Sequence, residues 1–223
     1  MQSTARLASV FIPAQAGIKV GNATIVRHLA LAEYASTCQA MRRFTDARGT
    51  TTPDELWALE HPPIYTVGIA GRAEHFPRGG EVPVERTDRG GQITYHGPGQ
   101  AIVYALVDLA RRGLTVRGMV SLIERAVIEL LGAHGVGAER RKGAPGVYVD
   151  GAKIAALGLR VRRGCCYHGV ALNVAMDLAP FSAIDPCGYP GLAVTQTRAH
   201  GVLAGATEMG DELARRIARL IDK

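Results

Sequence analysis

The stretch "VYVDGAKIAALGLRVRRGCCYHGVALNV", residues 147–174, decides the fold. Asp150-Gly151 is the dipeptide that supplies the positive φ angles of a type I′ turn, so the apolar runs on either side of it read as a hairpin. The "RRG" at 162–164 then turns the chain into a further strand, "CCYHGVALNV". Upstream the pattern stays strand-rich: "VPVERTD" from Val82, a Gly-Gly break, "QITYH", a "GPGQ" turn and the apolar run "AIVYALVDL". Pro62-Pro63 forces extended backbone before a strand at Ile64–Val67, and "ELWALE" before it is also of β type. A short strand is expected near Ala8–Ile12 and a helix from about Leu29 to Ala47.

Between the strands, residues 117–131 change period. Met119, Ile123, Ala126, Val127 and Leu130 recur at three and four, which gives a helix with one apolar face and with Glu124, Arg125 and Glu129 on the other. A second packing helix is expected at Glu212–Ile221. There are no repeats and no linker-like stretch, so the 223 residues read as one domain, 1–223. Clustered strands with flanking helices indicate an α+β fold, with helices on one side of the sheet, rather than an alternating doubly wound one.

Composition narrows the function. The chain is 47% hydrophobic but only 5% aromatic, with 27 glycines. Scarce aromatics weigh against single-stranded nucleic-acid binding, which stacks bases on rings. The net charge of +6 is spread in arginine pairs such as Arg111-Arg112, which read as solvated surface charge, and no nucleic-acid motif accompanies it. Four cysteines, two of them adjacent, do not make a disulfide framework and point to reduced thiols. With no signal h-region and no long apolar span, the expectation is a cytoplasmic protein that does not insert in membranes.

Three stretches carry chemistry. In "RGGQITYHGPGQ", residues 89–100, glycine turns bracket a short strand. They either only permit a tight hairpin or bring bare amides close to an acyl group or a phosphate-bearing tail. Lys153 stands two residues after the turn glycine among small apolar residues. It is either exposed on an edge strand or partly buried, in which case it needs an anion, and a thiolate would serve. If strand alternation holds, Ala155 and Leu157 share its face. Cys187, in "FSAIDPCGYPGLAVTQ", sits between Pro186 and Gly188. It is either a small buried hydrophobe, as cysteines commonly are, or a thiol presented at a turn. A free thiol with a pKa of about 8.5 is only slightly ionised at neutral pH unless a cation lies near it. Cys165 and Cys166 should point to opposite strand faces, which argues against zinc on these two with His168 and Cys187; no metal site is expected. No Gly-x-Ser-x-Gly elbow is present.

Five segments in order, "LEHPPIYTVG", "RGGQITYHGPGQAIVYALVDL", "GAPGVYVDGAKIAALGLRV", "YHGVALNV" and "FSAIDPCGYPGLAVTQ", make the chain resemble the octanoyltransferases of lipoate biosynthesis, the lipoate-protein ligase B family. The resemblance implies a biotin/lipoyl protein ligase-like α+β catalytic domain, a mixed sheet with flanking helices. It implies transfer of an octanoyl group from octanoyl-acyl carrier protein to a lysine of lipoyl domains, those of 2-oxoacid dehydrogenase subunits and of the glycine cleavage H protein, through a thioester on Cys187 assisted by Lys153. No cofactor is expected, because the acyl group arrives activated on phosphopantetheine. Substrate contacts fall on Arg89, Gly90, Gly91 and Gln92, and on Ile93, Thr94, Tyr95 and His96. Further contacts fall on Ala156, Leu157 and Gly158 after the lysine, and on Gly169, Val170 and Ala171 after His168. Where the family usually carries a valine or similar residue and a serine or threonine before Tyr-His-Gly, this chain has Cys165 and Cys166. The competing readings are an ATP-dependent lipoate or biotin ligase of the same fold, and a non-catalytic basic binding module.

Overall fold

The structure is a computed structural model that describes residues 18–20, 24–77, 79–186 and 191–223. The strand expected near Ala8–Ile12 lies outside the described residues. Strands β1 (Ile18–Val20) and β2 (Thr24–Leu31) precede helix α1 (Tyr34–Ala47). There follow β3 (Asp54–Glu60), β4 (Ile64–Val67), β5 (Val84–Arg86), β6 (Ile93–His96) and β7 (Gln100–Asp108). Helix α2 (Val116–Ala133), strands β8 (Glu139–Arg141), β9 (Ala144–Val149), β10 (Ala152–Arg162) and β11 (Cys165–Asn173), and helix α3 (Ala206–Ile221) complete the order.

Eight strands form one sheet in the order β1-β2-β3-β7-β11-β10-β9-β8, and a second sheet runs β5-β4-β6. The large sheet is mixed, because β2 and β3 run parallel while its other pairs are antiparallel. The hairpin between β9 and β10 turns where expected, with Asp150 at φ 47° and Gly151 at 85°, and Arg163 and Gly164 turn β10 into β11 with φ 50° and 77°.

Two expectations about the helices need correction. The helix begins at Tyr34, not near Leu29, because residues 24–31 are a strand paired with β3, with Val26 against Leu56. The helices also do not all lie on one side. In β3, β7 and β11 both alternating sets are apolar, so each face of the sheet needs cover. Leu56, Ala58, Ala101, Val103, Ala105, Val170 and Leu172 pack with α2 and α3. Trp57, Leu59, Ile102, Leu106 and Tyr167 pack under α1 on the opposite face. Helix α3 is longer than its expected core and starts at Ala206, and Thr115 caps α2 by accepting from Gly118 N at 3.0 Å.

Arg111-Arg112 is not merely surface charge. Arg111 and Arg48 reach Asp54 at 2.6 Å and Arg112 at 2.7 Å, and the Asp54 side chain is fully buried. Burial pushes this carboxyl up, but the Asp108 amide, Arg112 and Arg48 hold it below its usual value. Cys165 and Cys166 are both buried rather than split between inside and outside. Cys166 is in the α2/α3 core with its Sγ 3.4 Å from Ala105 O, and Cys165 turns back toward Arg163 O.

Candidate active site

On the α1 face a cavity opens between the large sheet and the 89–96 segment. Gly90 N donates to Leu159 O at 2.9 Å and docks that segment onto β10. The guanidinium of Arg89 braces it from within, donating to Thr66 O at 2.7 Å and Gln92 O at 2.8 Å. Close approach of β11 to β7 requires Gly169, since a Cβ there would lie 2.0 Å from Val103 O. Every substrate-contact residue expected from the sequence lines the cavity except Gly90, which is spent on docking, and Tyr95. Tyr95 packs its ring on Tyr65 and Phe181 in a separate cluster beneath the small sheet.

Tyr34, Ile102, Tyr104 and His168 also line the cavity. They come from segments that only the fold brings together; His168 adjoins the expected contacts Gly169–Ala171, whereas sequence spacing offered no signal for Tyr34, Ile102 and Tyr104. The rings of Tyr34, His61, His96, Tyr104 and His168 form a connected patch with centroids 5.2–6.1 Å apart. Burial pulls His61 down to about 4, opposed by its bond to Ala32 O, and pulls His96 down to about 3 with help from His61. Burial also pushes Tyr34 up to about 12 and Tyr104 well above its usual value. The floor is therefore uncharged near neutrality.

A directional hydrogen-bond chain crosses this floor. Arg89 donates to Thr66 Oγ1 at 3.0 Å, Thr66 to His96 Nε2 at 3.2 Å, and His96 Nδ1 to Gln100 Oε1 at 2.7 Å. Gln100 donates to Asn173 Oδ1 at 2.9 Å, and Asn173 to Thr195 O at 2.9 Å. Both His96 nitrogens are thus engaged, and the ring is a fixed spacer in a positioning chain.

His168 has φ 63°, which turns its ring onto the face of Tyr167, 5.0 Å away and stacked. Both bond Asp88, His168 Nε2 at 3.0 Å and Tyr167 OH at 2.6 Å. Burial pushes Asp88 up, but His168, Tyr167 and Arg42 hold it far below the usual carboxylate range. His168 itself is lowered by burial, against the pull of Asp88. A neutral ring that gives its Nε2 proton to Asp88 carries a lone pair on Nδ1, which has no partner among the described residues. Cys38, Asp88 and His168 each present a ligand atom within 4.8 Å of one another. Asp88 already accepts from Tyr167 and Arg42, and burial pushes the Cys38 thiol up, so the group reads as a hydrogen-bonded network.

Lys153 is buried, at 4% exposure, on a strand paired on both sides; the exposed edge-lysine reading does not hold. Strand alternation also breaks there. The β9–β10 register shifts between Lys153 and Ala155, and such a bulge re-aims a side chain. Ala155 lies in the α2/α3 core, while Lys153 shares a second, smaller cavity with Thr94, Gln100, Ala156, Pro186 and Val194. Thr94 and Ala156 line both cavities, so the two adjoin. Lys153 Nζ donates to Pro145 O at 3.2 Å and lies 5.2 Å from the Tyr148 ring centroid. Its backbone clips the 193–195 segment, accepting from Thr195 N at 3.0 Å and donating to Ala193 O at 2.8 Å. Cys187 lies outside the described residues; its chain neighbour Pro186 walls the cavity that holds Lys153.

A mixed sheet with an apolar cavity on one face and a buried lysine in an adjoining one is the architecture of a lipoyl or biotin protein ligase-type catalytic domain. A crystal structure of lipoate-protein ligase A bound with ATP superposes with a TM-score of 0.69 at 14% identity, over 90% of this chain and 85% of that one. The lipoyl protein ligase A/B catalytic domain family matches residues 33–218, and the chain belongs to that family. It is 56% identical over 211 residues to an octanoyltransferase of Aromatoleum aromaticum, covering 94% of this chain and 91% of the relative. It is 61% identical over 178 residues to an octanoyltransferase of Thiobacillus denitrificans, covering 80% and 82%. No helix among the described residues is long and apolar enough to cross a membrane.

Proposed function

We propose that this chain is an acyltransferase that moves an octanoyl group from acyl carrier protein to a lysine of lipoyl domains, those of 2-oxoacid dehydrogenases and the glycine cleavage H protein, through a thioester on Cys187. The observation that carries the reading is the buried Lys153, beside the apolar cavity and in one chamber with the residue bonded to Cys187. High identity to octanoyltransferases over most of the chain supports the same activity.

In this reading the Lys153 ammonium stabilises the Cys187 thiolate, which attacks the thioester carbonyl of the donor. Backbone amides near the two residues hold the resulting oxyanion. On collapse the carbon–sulfur bond to phosphopantetheine breaks and Lys153 gives its proton to the leaving thiolate. Lys153, now neutral, takes a proton from the acceptor lysine as its amine attacks the enzyme thioester. Amide formation then releases the Cys187 thiolate beside a restored ammonium. The first step exchanges one thioester for another, and the second runs downhill to an amide. His96, held at both nitrogens and pulled to about 3, leaves this proton traffic to Lys153.

The cavity bounded by Ile102, Ala156, Leu157, Gly158 and Val170 takes the hydrocarbon. At ~0.8 kcal/mol per buried methylene, an octanoyl chain gains about 5 kcal/mol there. No nucleotide is consumed. The test is incubation with octanoyl-acyl carrier protein and a lipoyl domain in the absence of ATP, read by intact mass. Octanoylated lipoyl domain supports the transferase, whereas product only from free octanoate plus ATP assigns a ligase and overturns it.

A further inference from the structure

Helix α2 carries a carboxylate where its sequence pattern expects solvent. The three-and-four spacing puts Glu124 on the polar face with Arg125 and Glu129, yet it is buried, at 7% exposure. Its Oε1 accepts from Gly146 N at 3.0 Å, and its Oε2 lies 3.3 Å from Arg140 Nε on β8. The Gly146 N–H belongs to the same peptide unit as the Pro145 carbonyl, and that carbonyl accepts from Lys153 Nζ. One planar peptide thus has the Glu124 carboxylate at one end and the Lys153 ammonium at the other.

We infer that Glu124 is a positioning residue for Lys153, acting through the Pro145–Gly146 peptide. Peptide planarity makes the coupling geometric: if the N–H is fixed, the direction of the C=O is fixed with it. An oxygen that accepts from the N–H also polarises the amide, which strengthens its carbonyl as an acceptor for the ammonium. Gly146 is needed for the same arrangement. Its φ of 138° is unfavourable for any residue with a side chain, and a Cβ there would lie 3.1 Å from Lys153 Cε. Among the described residues, Arg140 faces this assembly at Glu124 and Tyr148 faces it at Lys153, with the Arg141 guanidinium also over the Tyr148 ring. The polar walls of the lysine chamber among the described residues, Thr94, Gln100 and Asn173, are uncharged, and Ala156, Phe181, Pro186 and Val194 are apolar.

This inference rests on the proposed pairing of Lys153 with Cys187. Its test is the rate of iodoacetamide alkylation at Cys187 against pH, read by peptide mass, in wild type, Lys153→Ala, Glu124→Asp, Glu124→Gln and Glu124→Ala. Glu124→Gln keeps the reach and an acceptor oxygen, and is expected to hold the wild-type midpoint. Glu124→Asp keeps the charge but is one methylene short, and is expected to move the midpoint up by ~0.5–1 unit, a three- to tenfold loss of thiolate below it. Glu124→Ala should shift at least as far, and if it fails to fold the Asp and Gln variants decide alone. An Asp variant with the wild-type midpoint, or a Gln variant shifted as far as Asp, overturns the role of Glu124 as a positioning residue. An unshifted Lys153→Ala instead removes the cysteine–lysine reading itself, so the two failures are distinct.

Discussion

The two faces of the large sheet are built from the same strands and end in different chemistry. On one, α2 and α3 lie over Leu56, Val103, Ala105, Cys166 and Leu172, and the layer is almost entirely hydrocarbon. On the other, α1 covers only part of the sheet, and the remainder is floored by Tyr34, Tyr104 and His168 and roofed by the 89–96 segment. The difference teaches where a catalytic cavity can exist. A face closed by two helices maximises buried area, whereas a face closed by one helix and a hydrogen-bonded loop leaves room for a ligand. Lys153 joins the faces, because Ala155, two residues on, anchors in the first while its own side chain lines the small cavity beside the second.

Separation of stability from chemistry follows. The largest effect belongs to the cavity face: Lys153→Ala should slow formation of the acyl-enzyme by ~10²–10⁴-fold in rapid-quench measurements. The opposite face should behave in reverse. Leu130→Ala, in a fully buried position on α2, should cost about 2–5 kcal/mol in urea unfolding and leave the acylation rate of the folded protein unchanged. A loss of chemistry matched to the loss of stability would merge the two faces.

Ala156→Leu should shorten the chamber that both cavities share. Filling the space of two or three methylenes lowers preference for octanoyl over butanoyl donors by ~2 kcal/mol, seen as a drop in relative kcat/KM with the unfolding midpoint nearly unmoved. Last comes pH. His61 and His96 are neutral in the folded protein, with values near 4 and 3, while the unfolded chain takes up protons at imidazoles near pH 6.5. Folding stability from these rings is complete above about pH 6.5 and declines as pH falls toward 4, by on the order of 1 kcal/mol per unit. Urea midpoints at pH 7 and 5 measure it, and His96→Gln should flatten part of the slope.

Much of the fold was legible from local rules. Asp150-Gly151 marked a hairpin, the proline pair marked the approach to β4, and the three-and-four spacing through 119–130 marked α2. What escaped depends on partners distant in sequence. Residues 24–31 make a strand because β3 lies alongside, and α1 crosses to the far face because β3, β7 and β11 are apolar on both sides. Periodicity assigned Glu124 to water because it cannot see the Gly146 amide that donates to it from beneath the helix. The bulge at Lys153 and Ala155 defeated simple alternation. The glycine-rich and post-lysine segments did name most of the cavity wall, since close backbone approach leaves its mark in residue type. The ring patch of Tyr34, His61 and Tyr104 left no such mark.

The central claim is tested most directly by mapping the octanoyl group after wild-type protein meets octanoyl-acyl carrier protein with no nucleotide and no acceptor. The account predicts a hydroxylamine-labile thioester on the peptide that contains Cys187, absent in Cys187→Ala. An octanoyl group on any other residue, or an unmodified protein while a lipoyl domain still becomes octanoylated, would contradict it.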